Sequence, residues 1–302
     1  MANRAVPWSL VGPDLPLTRR KPTHFRVSPD LDLFSGWADH DIVVDVFAMM
    51  ASASTHTFEI VTGSADRMRE TLTSTQFRRD VHARMGDPVA ALWPLPNVWL
   101  GVPVLDGLHS PRVLDLLRTP AAIHFASCEP LLGFVQLDMI VLPGQEFDHG
   151  IFNAFTDRWS PLQEVCLDRR LDRIGVTGSR LDWVVAGGGS GRGAQPTHPD
   201  WLRSLRDQCR DAGVPFTFTG WGAWGPTGHT PHTEARTVGL TGTTPRGGSQ
   251  RLRIDRSGQV RTTNDVTTFR IPPDWADMVR RTPAVTGDVL DGERHTARPQ
   301  TH

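Results

Sequence analysis

The feature that most constrains this chain is a repeated change of hydrophobic period. Six short apolar runs, "HFRVSPD" from residue 24, "TFEIVTGS" from 57, "VWLGVPV" from 98, "IHFASCEP" from 123, "WVVAGGGS" from 183 and "PFTFTGWG" from 215, are rich in β-branched and aromatic residues and end in polar or glycine-containing turns. That is the pattern of strands. Between them the spacing turns helical. In "DIVVDVFAMMA", Ile42, Val43, Val46, Phe47, Met49 and Met50 fall on one helical face. "SPRVLDLLR" places Ser110 as an N-cap and Pro111 at the first helical position. "HPDWLRSLRDQCRDAG" predicts a helix over 199–212, opened by Pro199 and closed by Gly213. Strands that alternate with helices pair in parallel through helical crossovers, and strands that are apolar almost throughout are covered on both faces.

A closed eightfold barrel takes about 250 residues. Six strands by residue 222 of a 302-residue chain therefore predict an α/β fold of the partial (β/α) TIM-like barrel kind, with about six parallel strands. A doubly wound open sheet is the alternative. In this reading residues 1–225 form the barrel. From 226 the character changes: "PTGHTPHTEARTVGLTGTTPRGGSQ" is rich in Gly, Thr and Pro and reads as a linker. "QRLRIDRSGQVRT" alternates around Ser257 and Gly258 as a small hairpin does, and "ERHTARPQTH" reads as a frayed tail. Residues 226–302 are thus expected to be linker, hairpin and tail, a small C-terminal extension.

Composition acts mainly by exclusion. With 32 basic against 33 acidic residues and a formal net charge of -1, no global field draws the chain to nucleic acid or to an anionic membrane. No apolar run approaches the roughly 20 residues of a membrane span, and the opening "MANRAVPWSLVGPDLPLTRR" lacks the apolar middle of a signal peptide. A cytoplasmic protein without a membrane partner is expected. Cys128, Cys166 and Cys209 are odd in number and far apart, which suits buried free thiols rather than disulfides or a metal site. Tyrosine is absent and Lys21 is the only lysine, so no tyrosyl acid is available to any mechanism.

In parallel α/β folds the C-terminal ends of the strands carry the site. The chemically capable residues there are Asp32 in "DLDLF", Glu129, and the turn of Gly187, Gly188, Gly189 and Ser190. Pro130 biases Glu129 toward extended backbone and aims its carboxylate across the barrel mouth. The two carboxylates are the catalytic candidates, each weighed against a role as cap or turn residue. The bare backbone of "GGGSGRG" permits close approach of a ligand to free N–H groups, or else serves as a tight turn alone. His124 lies four residues before Cys128 on one strand, about 13 Å away when extended, too far to act as its base. His198 reads as the residue that positions the following helix from its N-terminus. Arg78, Arg79 and Arg84 are the basic face that a nucleic-acid binder would need, with a solvated helix face as the plainer reading.

"KPTHFRVSPDLDLF", "HTFEIVTGSADRMRETL", "LPNVWLGVPV", "TPAAIHFASCEPLLG" and "LDWVVAGGGSGRGAQPTHPDWLRSLRDQCRDAGVPF" resemble, in order and spacing, a phage- and prophage-associated family of unknown function with radical-SAM-like barrels, and "VTGDVLDGE" from 285 resembles its terminal motif. The resemblance implies a partial (β/α) barrel, with S-adenosylmethionine and an iron–sulfur cluster as cofactors. This chain departs from the family at the cofactor positions. The three-cysteine segment has no counterpart before Lys21, the glutamate of a Gly-Gly-Glu step is Gly189, and a Thr-Lys pair is Thr62-Gly63. A lysine, glutamine and glutamate around the last strand are Thr219, Gly220 and Ala223. A cluster needs closely spaced thiolates. The expectation is a degenerate barrel with no cofactor in this chain, binding a small nucleotide-like ligand or a partner protein. Two alternatives stay open: a radical-SAM-type enzyme whose cluster segment is missing from this chain or supplied in trans, and an enzyme or binder acting on nucleic acid in phage DNA metabolism.

Overall fold

The computed structural model describes residues 6–8, 15–27, 32–36, 38–86, 92–142, 150–161, 179–227, 251–262, 274–280 and 286–299. In chain order its strands are β1 (Val6–Trp8), β2 (His24–Val27), β3 (Thr57–Val61), β4 (Val98–Pro103), β5 (Ile123–Cys128), β6 (Ile140–Leu142), β7 (Gly150–Asn153), β8 (Arg158–Pro161), β9 (Trp183–Gly187), β10 (Phe216–Gly220), β11 (Trp224–Pro226), β12 (Arg251–Asp255), β13 (Val260–Thr262) and β14 (Trp275–Arg280). Its α-helices are α1 (Leu15–Thr18), α2 (His40–Ser52), α3 (Ala65–Thr73), α4 (Thr75–Met85), α5 (Arg112–Leu117) and α6 (Pro199–Ala212).

Strands β1, β2, β3, β4, β5, β9 and β10 form one sheet in that order, and every neighbouring pair is parallel. The sheet curls into a half-barrel, so the fold is the partial (β/α) barrel and not the doubly wound sheet. All six strands expected from the sequence belong to it. The seventh, β1, is too short to show a period. Its Pro7 stands at the sheet edge, where a residue without an N–H costs no ladder bond.

The pleat divides the strand side chains between two cores. Phe25, Phe58, Leu100, Ala126, Val184 and Phe218 face outward and join Phe47, Met68, Leu116, Leu202 and Leu205 of the helices in the principal core. Each large side chain so buried stabilises the fold by about 1.5–3 kcal/mol. The alternate residues Trp99, Ile123, Phe125, Trp183 and Val185 make a second, smaller cluster on the concave side. Phe125 lies across Gly101, where a Cβ would fall 2.5 Å from its ring.

Local signals set several element ends. His198 caps α6 by accepting from the Asp200 N–H at 3.1 Å, Pro199 opens the helix, and Gly213 closes it at φ 67°. Ser74 separates α3 from α4 and accepts from the Phe77 N–H at 3.3 Å. The α5 start differs from expectation: a 3-10 turn over Gly107–His109 leads into the helix, Asp106 accepts from the Leu108 N–H at 2.9 Å, and Ser110 is helical rather than a cap.

Two further sheets flank the half-barrel. β6, β7 and β8 form an antiparallel meander between β5 and β9, in a stretch where the sequence shows no clear alternation. β11, β14, β12 and β13 form an antiparallel sheet in that order, in which β12 and β13 are the expected hairpin around Ser257 and Gly258. The expected linker lies, over 228–250, outside the described residues, as does Cys166.

The C-terminal segment corrects one expectation. Residues 293–299 of the "frayed" tail are docked. The Phe218 N–H donates to the His295 carbonyl at 2.8 Å, Thr217 pairs antiparallel with Thr296, and the Thr217 hydroxyl donates to the Ala297 carbonyl at 2.7 Å. Just before them, Trp221 donates through its backbone N–H to Gly287 O at 3.1 Å and through its indole to Val289 O at 2.9 Å. Asp291 is clasped by Arg203 and Arg206 of α6 at 2.7 and 2.6 Å. Residues 286–299 are therefore a strap laid along the free edge of β10. Backbone bonds, the Trp221 indole and the Asp291 clasp hold it, and none of these depends on an apolar pattern.

Candidate functional site at the barrel mouth

Strand register builds the site. Arg26 of β2 stands directly opposite Glu59 of β3, and His24 is one pleat before it, so all three project to the concave side while Phe25 and Phe58 face the helices. Glu59 is fully buried. It accepts from Arg26 Nε at 2.9 Å and shares a 2.5 Å contact with His24 Nε2. Burial alone would raise its pKa, but the His24 hydrogen bond and the Arg26 charge outweigh it and hold Glu59 below the usual carboxylate value. Burial likewise disfavours the charge on Arg26, yet Glu59 and Glu129 more than offset it and its pKa is raised. The pair is ionised, as a buried charge must be when it is matched and hydrogen-bonded.

Glu129 follows β5 and reaches over the concave side. Its Oε2 meets Arg26 at 3.3 Å, and its Oε1 accepts from the Thr219 hydroxyl of β10. Its carboxylate thus ties together strands two or three places apart in the sheet, a geometry that only a curled sheet allows. Its side chain is 20% exposed against 0% for Glu59, so it is the carboxylate of the pair that a ligand can reach. Trp99 packs edge-on against His24, with ring centroids 4.9 Å apart, and closes the floor.

The glycine turn abuts this cluster. A Cβ on Gly187 would lie 2.2 Å from the Thr219 hydroxyl and 3.3 Å from the Glu129 carboxylate, so only glycine lets that contact form. A Cβ on Gly188 would meet the Trp221 carbonyl at 2.1 Å. The Gly188 N–H donates to Gly220 O, and Gly189 O accepts from the Ala223 N–H, each at 2.8 Å. Two turns are packed backbone to backbone here, and part of the N–H supply of "GGGS" is engaged by that packing. Ser190 is exposed.

Asp32 is placed apart from this cluster. It accepts from the Thr62 hydroxyl at 2.5 Å and from the Gly63 and Phe34 N–H groups at 2.9 and 3.0 Å, and so joins the loop after β2 to the loop after β3. The structure brings Glu129 and Gly187 together and adds His24, Arg26, Glu59 and Thr219. The sequence signal for the first three was a charge or imidazole inside an apolar strand, where a polar group survives only with a partner.

The other singled-out groups have structural partners. His124 contacts the Thr119 carbonyl through Nε2 at 2.7 Å and is turned to the outer layer. Cys128 is fully buried, and its pKa is raised by burial, with Cys209 and Glu129 adding to the effect. Arg84 pairs with Asp41 and Asp45. Among the described residues no group of three or more His, Cys, Asp or Glu is arranged to hold a metal, and no helix is long and apolar enough to cross a membrane.

Fold and cluster together define a class, a half-barrel α/β protein whose ionised groups gather on the concave face of a parallel sheet, with Glu129 at its C-terminal end. The family described as Protein of unknown function (DUF5131) matches residues 11–299, and the chain belongs to it. No curated protein and no solved structure matches the chain.

Proposed function

We propose that this protein is a phage-type, radical-SAM-like barrel that works without an iron–sulfur cluster and binds a small nucleoside-like ligand at its mouth. The observation that carries the reading is Glu129, partly exposed and held at both oxygens by Arg26 and Thr219 beside the Gly187 turn. A carboxylate fixed in this way keeps lone pairs free to accept from hydroxyl or amino groups. Two carboxylates around one arginine disfavour a phosphate, and so a nucleoside is preferred to a nucleotide.

The two described cysteines do not suit the cluster that the family resemblance implies. Cys128 and Cys209, the two described, are buried in the outer core with raised thiol pKa values, whereas cluster ligands are thiolates. Anaerobic reconstitution followed by iron and sulfide analysis is expected to give no stoichiometric cluster. A stoichiometric one would restore the alternative, an enzyme of the radical-SAM type.

Binding is tested by a thermal-shift screen of nucleosides, nucleotides and S-adenosylmethionine, because a ligand that binds only the folded state raises the melting temperature. A nucleoside is expected to shift the wild type and not Glu129→Ala. A shift that survives Glu129→Ala and Gly188→Val would place binding elsewhere, and no shift with any compound would leave a partner-protein scaffold as the better reading.

A further inference from the structure

At the end of the barrel opposite the mouth, an open cavity of about 430 Å³ lies between the C-terminus of α3, the first turn of α4 and the loops that enter β4, β5 and β9. Its lining is unusual in what it leaves unmatched. Arg78 Nε and Trp93 Nε1 are both sealed from solvent and lack a hydrogen-bond partner among the described residues. A second arginine, Arg118, lines the same cavity, and among the described lining residues there is no carboxylate. The hydroxyls of Thr73 and Thr119 already donate to the Arg69 and Asp115 carbonyls, each at 2.7 Å. Leu72, Pro94, Pro120 and the Trp93 ring supply an apolar wall.

Buried donors without acceptors are rare, because the lost solvation is not returned. Two of them beside one cavity call for an acceptor, and because one is a guanidinium, an acceptor that carries negative charge satisfies it best. A guanidinium presents its donors as a planar fork that fits an oxyanion, and an indole N–H supplies one further donor. The apolar wall calls for a compact hydrophobic body on the same molecule. We infer that this cavity is a second binding site, separate from the mouth, for a small organic oxyanion held by Arg78 and Trp93, with Arg118 supplying charge. The side-chain donors swing a short way to meet the anion, which binds with its body against Leu72, Pro94 and Pro120.

The site is tested by isothermal titration calorimetry on the full chain with phenyl phosphate, benzoate, inorganic phosphate and phenol. Phenyl phosphate or benzoate binds, whichever is tighter naming the oxyanion, and phenol binds more weakly than either. Arg78→Gln weakens the tighter anion by about tenfold and Trp93→Phe, which keeps a ring but loses the N–H, by about threefold, the factors expected for a charged and a neutral hydrogen bond. Arg79→Gln, on the same helix and exposed, leaves it unchanged and so controls for bulk charge. Should Arg78→Gln fail to fold, Arg78→Lys, which keeps the charge but not the fork, replaces it and is expected to weaken binding less. Three results each overturn the inference: no heat from any of the anions, phenol binding as tightly as phenyl phosphate, or equal loss in Arg79→Gln and the Arg78 variant.

Discussion

Glu59 is the residue on which the concave side turns, because it is the one fully buried carboxylate among the described residues and both of its neighbours depend on it. Glu59→Ala leaves Arg26 and His24 without their principal partner, and removal of one member of a buried pair costs about 3–5 kcal/mol. The lower end is expected, since Arg26 is 30% exposed and keeps Glu129. Urea unfolding of the variant against wild type measures it. The pH dependence has a definite sign. The folded pKa of Glu59 is below its ordinary value of 4.5, so its contribution is complete above that value and is lost as pH falls through the lower, folded one. The acid limb of stability should therefore be shallower in Glu59→Gln. The thiols give a second residue-level expectation. Burial pushes Cys209 up to about 12 and raises Cys128 as well, so neither reacts with a disulfide reagent in the folded protein, and denaturant should release both. Reaction of either in the native state would contradict their burial.

Two elements are held by identifiable end contacts. In α6, Gly213 sits in the left-handed region at φ 67° and His198 caps the first turn. Gly213→Ala and His198→Ala are each expected to cost about 1 kcal/mol, read as a fall in melting temperature. The strap is held by the Asp291 clasp. The Arg203 hydrogen bond, joined by Arg206, lowers the Asp291 pKa from 3.8 to about 2. The clasp is therefore intact above 3.8 and is lost as pH falls toward 2, the same sign as for Glu59. Because these groups are partly exposed, Asp291→Asn should loosen the strap by only about 0.5–1 kcal/mol. Faster hydrogen exchange at the Phe218 amide, which the strap covers, is the readout. Unchanged exchange would show that the backbone bonds alone suffice.

At the scale of the whole molecule, what was legible in the sequence is what a single strand or helix declares by itself. "HFRV" and "WVVAG" show two buried faces without reference to any partner, and Pro199 with Gly213 marks both ends of α6. Glu129 and the glycine turn were legible because parallel sheets fix where sites fall. Arg26 and Glu59 were not, since their meaning depends on the β2–β3 register, which places one opposite the other. Nor was the strap, because "ERHTARPQTH" docks through its carbonyls on β10 and through the polar side chains of His295 and Arg298, which carry no apolar period. That last feature has a consequence for solubility. A half-barrel, unlike a closed one, has two margins of unpaired backbone, and such margins recruit other chains. Here one margin is the three-residue β1 with its proline, and the other is β10 beneath the strap. Deleting 286–299 should bare a five-residue parallel strand and promote self-association relative to the full chain, visible as a steeper concentration-dependent rise in light scattering.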